Sequence, residues 1–226
     1  MRIDPAGLPF IGGAAALALG LGLWLGWAWA LPGLALVAFF LFFFRDPDRQ
    51  PSGGAHVVLS PADGRVLVAG DALPAAAPSG RWRQVSIFLS PMDVHVNRVP
   101  VSGHVTRVNM IPGRFVPAYR HDAGNVNERC EIWIDHGGEQ VVARQIVGIL
   151  ARRVVCRLSP GADVKAGDRY GIMKFGSRMD VFLPTSAKIC VKVGDLVRGG
   201  ETAIAVLHSA DGRGNSTEPE VPSTRH

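Results

Sequence analysis

Three short turns in this sequence carry side chains that together could form a carboxylate–imidazole–hydroxyl relay. They are Asp63 in SPADG, His95 in LSPMDVHVNR and Ser177 in KFGSRMD, each beside a β-like run. In such a trio the imidazole takes the hydroxyl proton while the carboxylate orients the ring and stabilises its charge. Taken singly, each also fits an ordinary role: an Asp-Gly turn, a hydrogen-bonded histidine and a Gly-Ser turn. The nucleophile pattern G-x-S-x-G is absent, which disfavours a hydrolase fold.

An uncharged apolar run from Pro5 to Phe44 precedes the rest of the chain. As one helix it would be about 60 Å long, twice the thickness of a hydrocarbon core. A Pro-Gly pair interrupts it after three tryptophans that are typical of an interfacial belt. These features predict a membrane helical hairpin over residues 1–44, spanning or re-entrant, rather than a cleaved signal peptide. A buried core hairpin is the alternative.

Two arginines, Arg45 and Arg49, follow the apolar run directly. Lys and Arg collect on the cytoplasmic side of membrane segments. We therefore expect the protein at the cell inner membrane, with its soluble domain on the cytoplasmic face. A hairpin would place both of its ends on that side.

From residue 56 to residue 209 the pattern predicts a mainly β domain, preceded by a polar linker at 45–55. Its short runs are rich in Val and Ile and bounded by Gly, Pro, Asp or Ser. Two copies of V-K-x-G-D, at 164–168 and 191–195, resemble the hammerhead turns of barrel-sandwich hybrids. We expect a barrel-sandwich-hybrid-like fold rather than an open α/β sheet, and a disordered tail at 210–226.

Cysteine usage and charge exclude several classes of protein. Three scattered cysteines cannot form a disulfide framework, and the CxxC spacing of a zinc site is absent. This usage indicates a reducing location for the soluble part. The formal net charge is +5, with dispersed Lys and Arg and no nucleic-acid motif. An anionic lipid surface is therefore a better candidate partner than nucleic acid.

A set of six motifs runs through the chain. The motifs are FRDPDR (44–49), SPADG (60–64), FLSPMDVHVNRVP (88–100), NER (127–129), ARRVVC (151–156) and GIMKFGSRMDVFLP (171–184). Together they closely resemble the short, bacterial-type phosphatidylserine decarboxylase proenzymes, which depend on a pyruvoyl group. The resemblance covers residues 36–207, and FGSRMD is its most specific part.

The resemblance implies that the chain cuts itself between Gly176 and Ser177. The Ser177 hydroxyl would attack the Gly176 carbonyl and convert the amide to an ester. β-Elimination would leave dehydroalanine, which hydrolyses to a covalent pyruvoyl group with loss of ammonia. The resulting β chain (1–176) and α chain (177–226) would stay together as a heterodimer. The sequence leaves open whether such heterodimers assemble into a higher oligomer. A glycine before the serine suits this shift, because it tolerates strained backbone.

The implied activity is conversion of phosphatidylserine to phosphatidylethanolamine with release of CO2, a step of phospholipid biosynthesis. The substrate amine would form a Schiff base with the pyruvoyl carbonyl, which accepts electrons as pyridoxal phosphate does elsewhere. The resemblance implies no metal and no separate organic cofactor. The partners implied are therefore a phospholipid substrate and the membrane.

The resemblance also assigns roles to single residues. Ser177 is the pyruvoyl precursor, His95 is the candidate base for cleavage and later proton donor, and Asp63 orients His95. Long-form enzymes carry a second histidine three residues after the one that matches His95, and assign it to self-cleavage. This chain has Arg98 there. Either His95 performs both tasks, or cleavage relies more on strain and less on a base.

Three further side chains are candidates for substrate binding. Arg98 and Arg114 could bind the substrate carboxylate or phosphate, with a solvated arginine as the alternative at each position. His121 lies in the long loop at 112–127, a region of the kind that often forms binding loops or lids.

Two other interpretations stay open from the sequence. One is a non-enzymatic membrane-anchored carrier or adaptor of barrel-sandwich type, which the hammerhead-like turns support. Neither repeat, however, offers the exposed lysine at a hairpin tip that takes a prosthetic group in carrier domains. The other keeps the chemistry but changes the lipid, for example to a serine phospholipid of archaeal type.

Overall fold

The computed structural model describes residues 2–73, 77–120, 122–149, 154–174 and 176–208. The predicted tail at 210–226, residue 209 and His121 lie outside these ranges. The helices are α1 (Leu8–Leu25), α2 (Leu31–Phe43) and α3 (Ala123–Val126), with 3-10 turns at Pro5–Gly7 and Trp27–Ala30. The strands are β1 (Arg2–Ile3), β2 (Arg45–Asp46), β3 (Val57–Leu59), β4 (Gly64–Asp71), β5 (Arg83–Leu89), β6 (Val96–Arg98), β7 (Gly103–Ile111), β8 (Arg129–His136), β9 (Glu139–Ile146), β10 (Val154–Cys156), β11 (Asp163–Val164), β12 (Arg169–Met173), β13 (Ser177–Leu183), β14 (Lys188–Ile189), β15 (Leu196–Val197) and β16 (Ala203–Val206).

The prediction of a mainly β domain is confirmed. An antiparallel eight-stranded sheet has the order β11-β7-β8-β9-β13-β5-β4-β15 and curls into a half-barrel. Two three-stranded sheets, β10-β12-β6 and β14-β16-β3, complete the domain. A cluster of fully buried Val, Ile, Leu and Met side chains fills the core. The strands β1, β2, β6, β11 and β15 were not predicted, because runs of two or three residues are too short to show alternation.

The two V-K-x-G-D repeats form the same tight turn. In each copy the Asp carboxylate accepts a hydrogen bond from the backbone N–H of the lysine three residues earlier. The distance is 2.9 Å for Asp168 and 3.0 Å for Asp195. The glycine just before each Asp has a φ of 87° and 96°, respectively, which is left-handed backbone that suits glycine. The repeated sequence therefore corresponds to a repeated turn, as expected.

The apolar run folds into two helices that pack on each other as a hairpin. Gly33 of α2 lies so close to Ala18 of α1 that a Cβ at position 33 would overlap it, a contact between small residues that is typical of membrane helices. The helical stretch Pro5–Leu25 is long and apolar enough to cross a membrane, whereas Trp27–Phe43 is shorter. Of the 18-residue apolar segment within Pro5–Leu25, 11% is buried in the structure. This exposure disfavours the alternative of a buried core hairpin.

The base of the hairpin is fixed to the β domain, so residues 45–55 do not run as a free linker. Strand β2 pairs with β1 and joins the two ends of the hairpin. Phe43 and Phe44 are fully buried in a second apolar cluster of the domain. Asp46 is also buried and forms ion pairs with Arg98 at 3.0 Å and Arg169 at 2.5 Å.

Candidate active site

Ser177 is the first residue of β13, a strand near the middle of the large sheet. We expected a turn here and a strand from about residue 180, but the ladder with β5 already pairs Ser177 with Leu89. Every residue of β13 is buried, because β5 and β9 flank it on both sides. The Ser177 hydroxyl is fully buried and has no hydrogen-bond partner among the described residues. A buried hydroxyl without a partner is costly, and such groups occur at reactive sites.

Gly176 and Gly148 bring two backbone segments into unusually close contact. Gly176 has a φ of 71°, in the left-handed region, where a side chain would be strained. Its carbonyl oxygen lies against Gly148, which follows β9, and a Cβ at position 148 would overlap that oxygen. Sequence reasoning missed Gly148, because its only signal was a glycine at the end of a predicted strand.

His95 directly precedes β6, and a backbone carbonyl fixes its imidazole ring. Its Nδ1 lies 2.9 Å from the carbonyl oxygen of Asp93. A carbonyl can only accept, so Nδ1 carries the proton and Nε2 of the neutral ring carries the lone pair. Nε2 is buried without a described partner. The backbone N–H of Met173, four residues before Ser177, donates to the His95 carbonyl oxygen at 3.3 Å.

The surroundings of His95 keep its imidazole neutral. The ring is fully buried, and its centroid lies 4.1 Å from that of Phe43 at the end of α2. Burial lowers the pKa of His95 from 6.5 to about 4; the Asp93 carbonyl opposes this shift, and the positive charge of Arg45 adds to it. A neutral imidazole at physiological pH can accept a proton.

Asp63 does not make the expected contact with His95. One carboxylate oxygen accepts from Arg49 at 2.8 Å, and the other accepts from the backbone N–H of Gly199 at 2.7 Å. Burial raises the pKa of Asp63, while Gly199 and Arg49 oppose the shift. The structure therefore assigns the orientation of His95 to a backbone carbonyl.

The predicted substrate-binding residues lie in different environments. Arg98 is buried; it donates to Asp46 at 3.0 Å and to two carbonyl oxygens at 3.0 and 2.8 Å, so its guanidinium is not open to a substrate. Arg114 is exposed, and no described residue forms an ion pair or side-chain hydrogen bond with it. His121 lies outside the described residues. The residues that the structure describes contain no group of three metal-ligating side chains.

A buried ion pair next to Ser177 was not singled out from the sequence. Arg178 and Asp180 are two residues apart on β13, so their side chains lie on the same face of the sheet. The Nε atom of Arg178 donates to Oδ1 of Asp180 at 2.6 Å. Arg178 also donates to the Ser86 hydroxyl at 3.0 Å and to the carbonyl oxygen of Arg120 at 3.3 Å. The pair thus fastens the long loop at 112–127 to the strand that begins at Ser177. The R-x-D spacing within FGSRMD was the available signal.

Comparison with known proteins points to one family. Residues 36–205 match the family model described as phosphatidylserine decarboxylase. Similar proteins named phosphatidylserine decarboxylase proenzyme include one from Chlorobium chlorochromatii, 47% identical, with 77% of this chain and 82% of the relative covered. Another, from Granulibacter bethesdensis, is 44% identical over 90% of this chain and 84% of the relative. A third, from Mycobacteroides abscessus, is 44% identical over 91% of this chain and 87% of the relative.

Proposed function

Because the chain belongs to the phosphatidylserine decarboxylase family, we propose that it converts phosphatidylserine to phosphatidylethanolamine and CO2 after cutting itself between Gly176 and Ser177. The observation that carries the proposal is that Ser177 Oγ and His95 Nε2 are both among the buried polar side-chain atoms without a described hydrogen-bond partner. One is a nucleophile and the other a base, and both occur in the motifs of this family.

The cut uses atoms that the chain itself supplies. His95 Nε2 takes the proton as Ser177 Oγ attacks the carbonyl carbon of Gly176. It returns that proton to the nitrogen of Ser177 as the C–N bond breaks, so that the amide becomes an ester and a free amine. The ester is then lost by β-elimination, which leaves Gly176 with a free carboxylate. Water hydrolyses the remaining dehydroalanine, and ammonia departs. The close packing of Gly148 fixes the carbonyl that is attacked.

The same position suits a covalent pyruvoyl group. It would stand at the start of β13, where a hydroxyl without a partner is enclosed by protein. The pyruvoyl group supplies an electron-poor carbonyl that accepts the electron pair released with CO2. Around it, the ring of Phe43 and the buried strand exclude water from His95, which holds or delivers a proton at Nε2.

The strand order explains why the two fragments would remain one enzyme. The C-terminal fragment would carry β13, β14, β15 and β16. Of these, β13 pairs with β5 and β9, β15 pairs with β4, and β16 pairs with β3, all of which belong to the N-terminal fragment. Cutting before β13 thus removes no ladder hydrogen bond between the fragments. We therefore propose a heterodimer of residues 1–176 and 177–226.

We place the enzyme at the inner membrane with the β domain on the cytoplasmic face. Support comes from the apolar hairpin, whose two ends are joined by the β1–β2 pair beside the domain. Arg45 follows the hairpin directly, and the overall charge of +5 favours an anionic lipid surface.

A direct assay tests the activity. The purified full chain, supplied with phosphatidylserine in vesicles, should release CO2 and form phosphatidylethanolamine, and borohydride treatment, which reduces a ketone, should abolish the reaction. Parallel vesicles with an ether-linked serine phospholipid of the archaeal type test the choice of lipid backbone. Absence of product from every serine lipid would contradict the proposal and favour the carrier or adaptor alternative.

A further inference from the structure

The sheet register brings four connections to the end at which Ser177 lies. Ser177 is opposite Leu89, and Arg178 is opposite Ile146, which is in turn opposite Arg129 of β8. The segment after β5, the loop between β7 and β8, the segment after β9 and the residues before β13 therefore all emerge together.

This end of the sheet exposes large apolar side chains, which we name the apolar rim. Its members are Met92 (63% exposed), Phe115 (39%), Tyr119 (63%) and Ile149 (52%), and they come from three of the four connections. Leu73, which is 70% exposed, lies at the opposite end of the sheet, just after β4. Single exposed apolar residues are ordinary, but a cluster at one end marks an interaction surface.

Contacts around the rim tie it to the reactive end. The ring of Tyr119 packs edge-on against Phe88, which is paired with Arg178 on β13. The loop that carries Phe115 is held by Asn127, whose side-chain amide donates to the carbonyl oxygens of Val116 and Val147 at 2.8 Å each. The rim thus lies at the end of the sheet that carries the reactive bond rather than on a remote face.

The rim is continuous with the base of the apolar hairpin. Arg45 donates to the carbonyl oxygen of Phe42 in α2 at 2.8 Å and to that of Met92 in the rim at 2.7 Å. Lys174, just before the reactive bond, lies with its ammonium 4.7 Å from the ring centroid of Phe10 in α1. A membrane that receives the hairpin therefore meets the rim as well.

Charge at the rim fits a phospholipid surface. Arg114 stands beside Phe115 in the same loop, exposed and without an ion-pair partner among the described residues. Apolar side chains with an adjacent cation are typical of surfaces that lie in the headgroup region of anionic bilayers.

We propose that the apolar rim is a second membrane-binding surface, which inserts into the interface of an anionic bilayer and holds the Ser177 end of the β domain against it. This inference rests on the proposed function and names how the substrate reaches the site: a serine phospholipid enters from the bilayer, with its acyl chains still in the membrane. The hairpin tethers the protein, whereas the rim orients it.

Turnover of two substrates distinguishes an effect on how the protein is oriented at the membrane from an effect on the chemical step. We would compare the full-length chain with a triple variant, Met92→Ser, Phe115→Ser and Ile149→Ser, on long-chain phosphatidylserine in phosphatidylcholine vesicles and on dihexanoyl phosphatidylserine present as monomers. The triple variant should lose about tenfold or more on vesicles, because the lost apolar surface no longer inserts. Self-cleavage and turnover of the monomeric lipid should stay within about twofold of the parent chain.

A matched control pairs Met92→Ser with Leu73→Ser, since both residues are strongly exposed but lie at opposite ends of the sheet. Only Met92→Ser should lower the vesicle rate. Equal loss on vesicles and monomers, or no loss on either, would overturn the rim proposal. If the parent chain turns over neither lipid, the proposed function fails instead, so the two failures are distinguishable.

Discussion

Two sets of polar groups at the same end of the sheet differ in whether the groups have hydrogen-bond partners. Around Asp63 and Arg98 the charges are satisfied, since Arg49 joins Asp63 to Glu201 and Arg98 binds Asp46. Around Ser177 and His95, a hydroxyl and a ring nitrogen are buried with no described partner.

This difference distinguishes the polar groups that stabilise the fold from those that are available for a reaction. A paired buried charge stabilises a particular packing, here the attachment of the segment after the hairpin, and removing one partner is costly. An unpaired buried nucleophile and base instead cost stability, which is typical of a site kept ready for reaction. The paired groups thus hold the chain in place, and the two atoms without described partners are those that we propose to react.

The largest expected effect comes from the unpaired hydroxyl. Ser177→Ala should leave the chain uncut and reduce decarboxylation to background, because no oxygen nucleophile remains. Its control is Ser60→Ala, since Ser60 is equally buried but donates to the Ala62 carbonyl oxygen at 2.6 Å. Denaturing gels and product assays would measure both. Processing of the Ser177 variant at the same bond would refute the assignment.

The unpaired imidazole should come next. His95→Ala should slow self-cleavage by about a hundredfold or more, the usual contribution of a general base. His136→Ala is a suitable control. Nδ1 of His136 also bonds to a backbone carbonyl oxygen, at 2.7 Å, but this hydrogen bond is exposed to solvent. Time courses of fragment formation after refolding would compare the two variants. Equal rates in both would remove His95 from the cleavage step.

A third expected effect concerns the backbone contact between Gly148 and Gly176, at the bond that we propose is cut. Gly148→Ala should slow cleavage by about a hundredfold, because its Cβ displaces the Gly176 carbonyl and small misplacements of reacting atoms are costly. Gly54→Ala is the control, since nothing lies near a Cβ at that position. A cleavage rate for Gly148→Ala as fast as that of the control would show that this contact does not position the carbonyl.

The paired region should matter less to the reaction. Asp63→Asn should lower the cleavage rate by less than about tenfold, because the carboxylate is occupied by Arg49 and Gly199 and its role is packing. The same variant should lower the denaturation midpoint measured on a Ser177→Ala background, where the chain stays intact. A loss of cleavage as large as that of His95→Ala would instead return Asp63 to the relay.

The smallest effect is the response to pH. Because burial lowers the pKa of His95 to about 4, its base form should persist as pH falls through the ordinary histidine range. The cleavage rate should therefore be flat from about pH 8 to pH 5 and reach about half near pH 4. The stability that the neutral ring contributes is present above the unfolded pKa of 6.5 and is lost as pH falls toward 4. A rate that halves near pH 6.5 would mean that the base is solvated.

Much of the fold could be predicted from the sequence, because strands and hairpins follow from local patterns. Alternating Val and Ile runs indicated the long strands, and an uncharged apolar run indicated the helices. The partners of Asp63 and Arg98 could not be predicted, since their ion pairs join segments 14 and 52 residues apart. The same holds for Gly148, whose contact with Gly176 depends on the packing of β9 against β13.

Intact mass measurement of the purified full-length protein after denaturation tests the central claim most directly. We expect two chains, one ending at Gly176 and one beginning at residue 177, the second lighter by one ammonia than a peptide that begins with serine. A single uncut chain from protein that forms phosphatidylethanolamine would contradict the account.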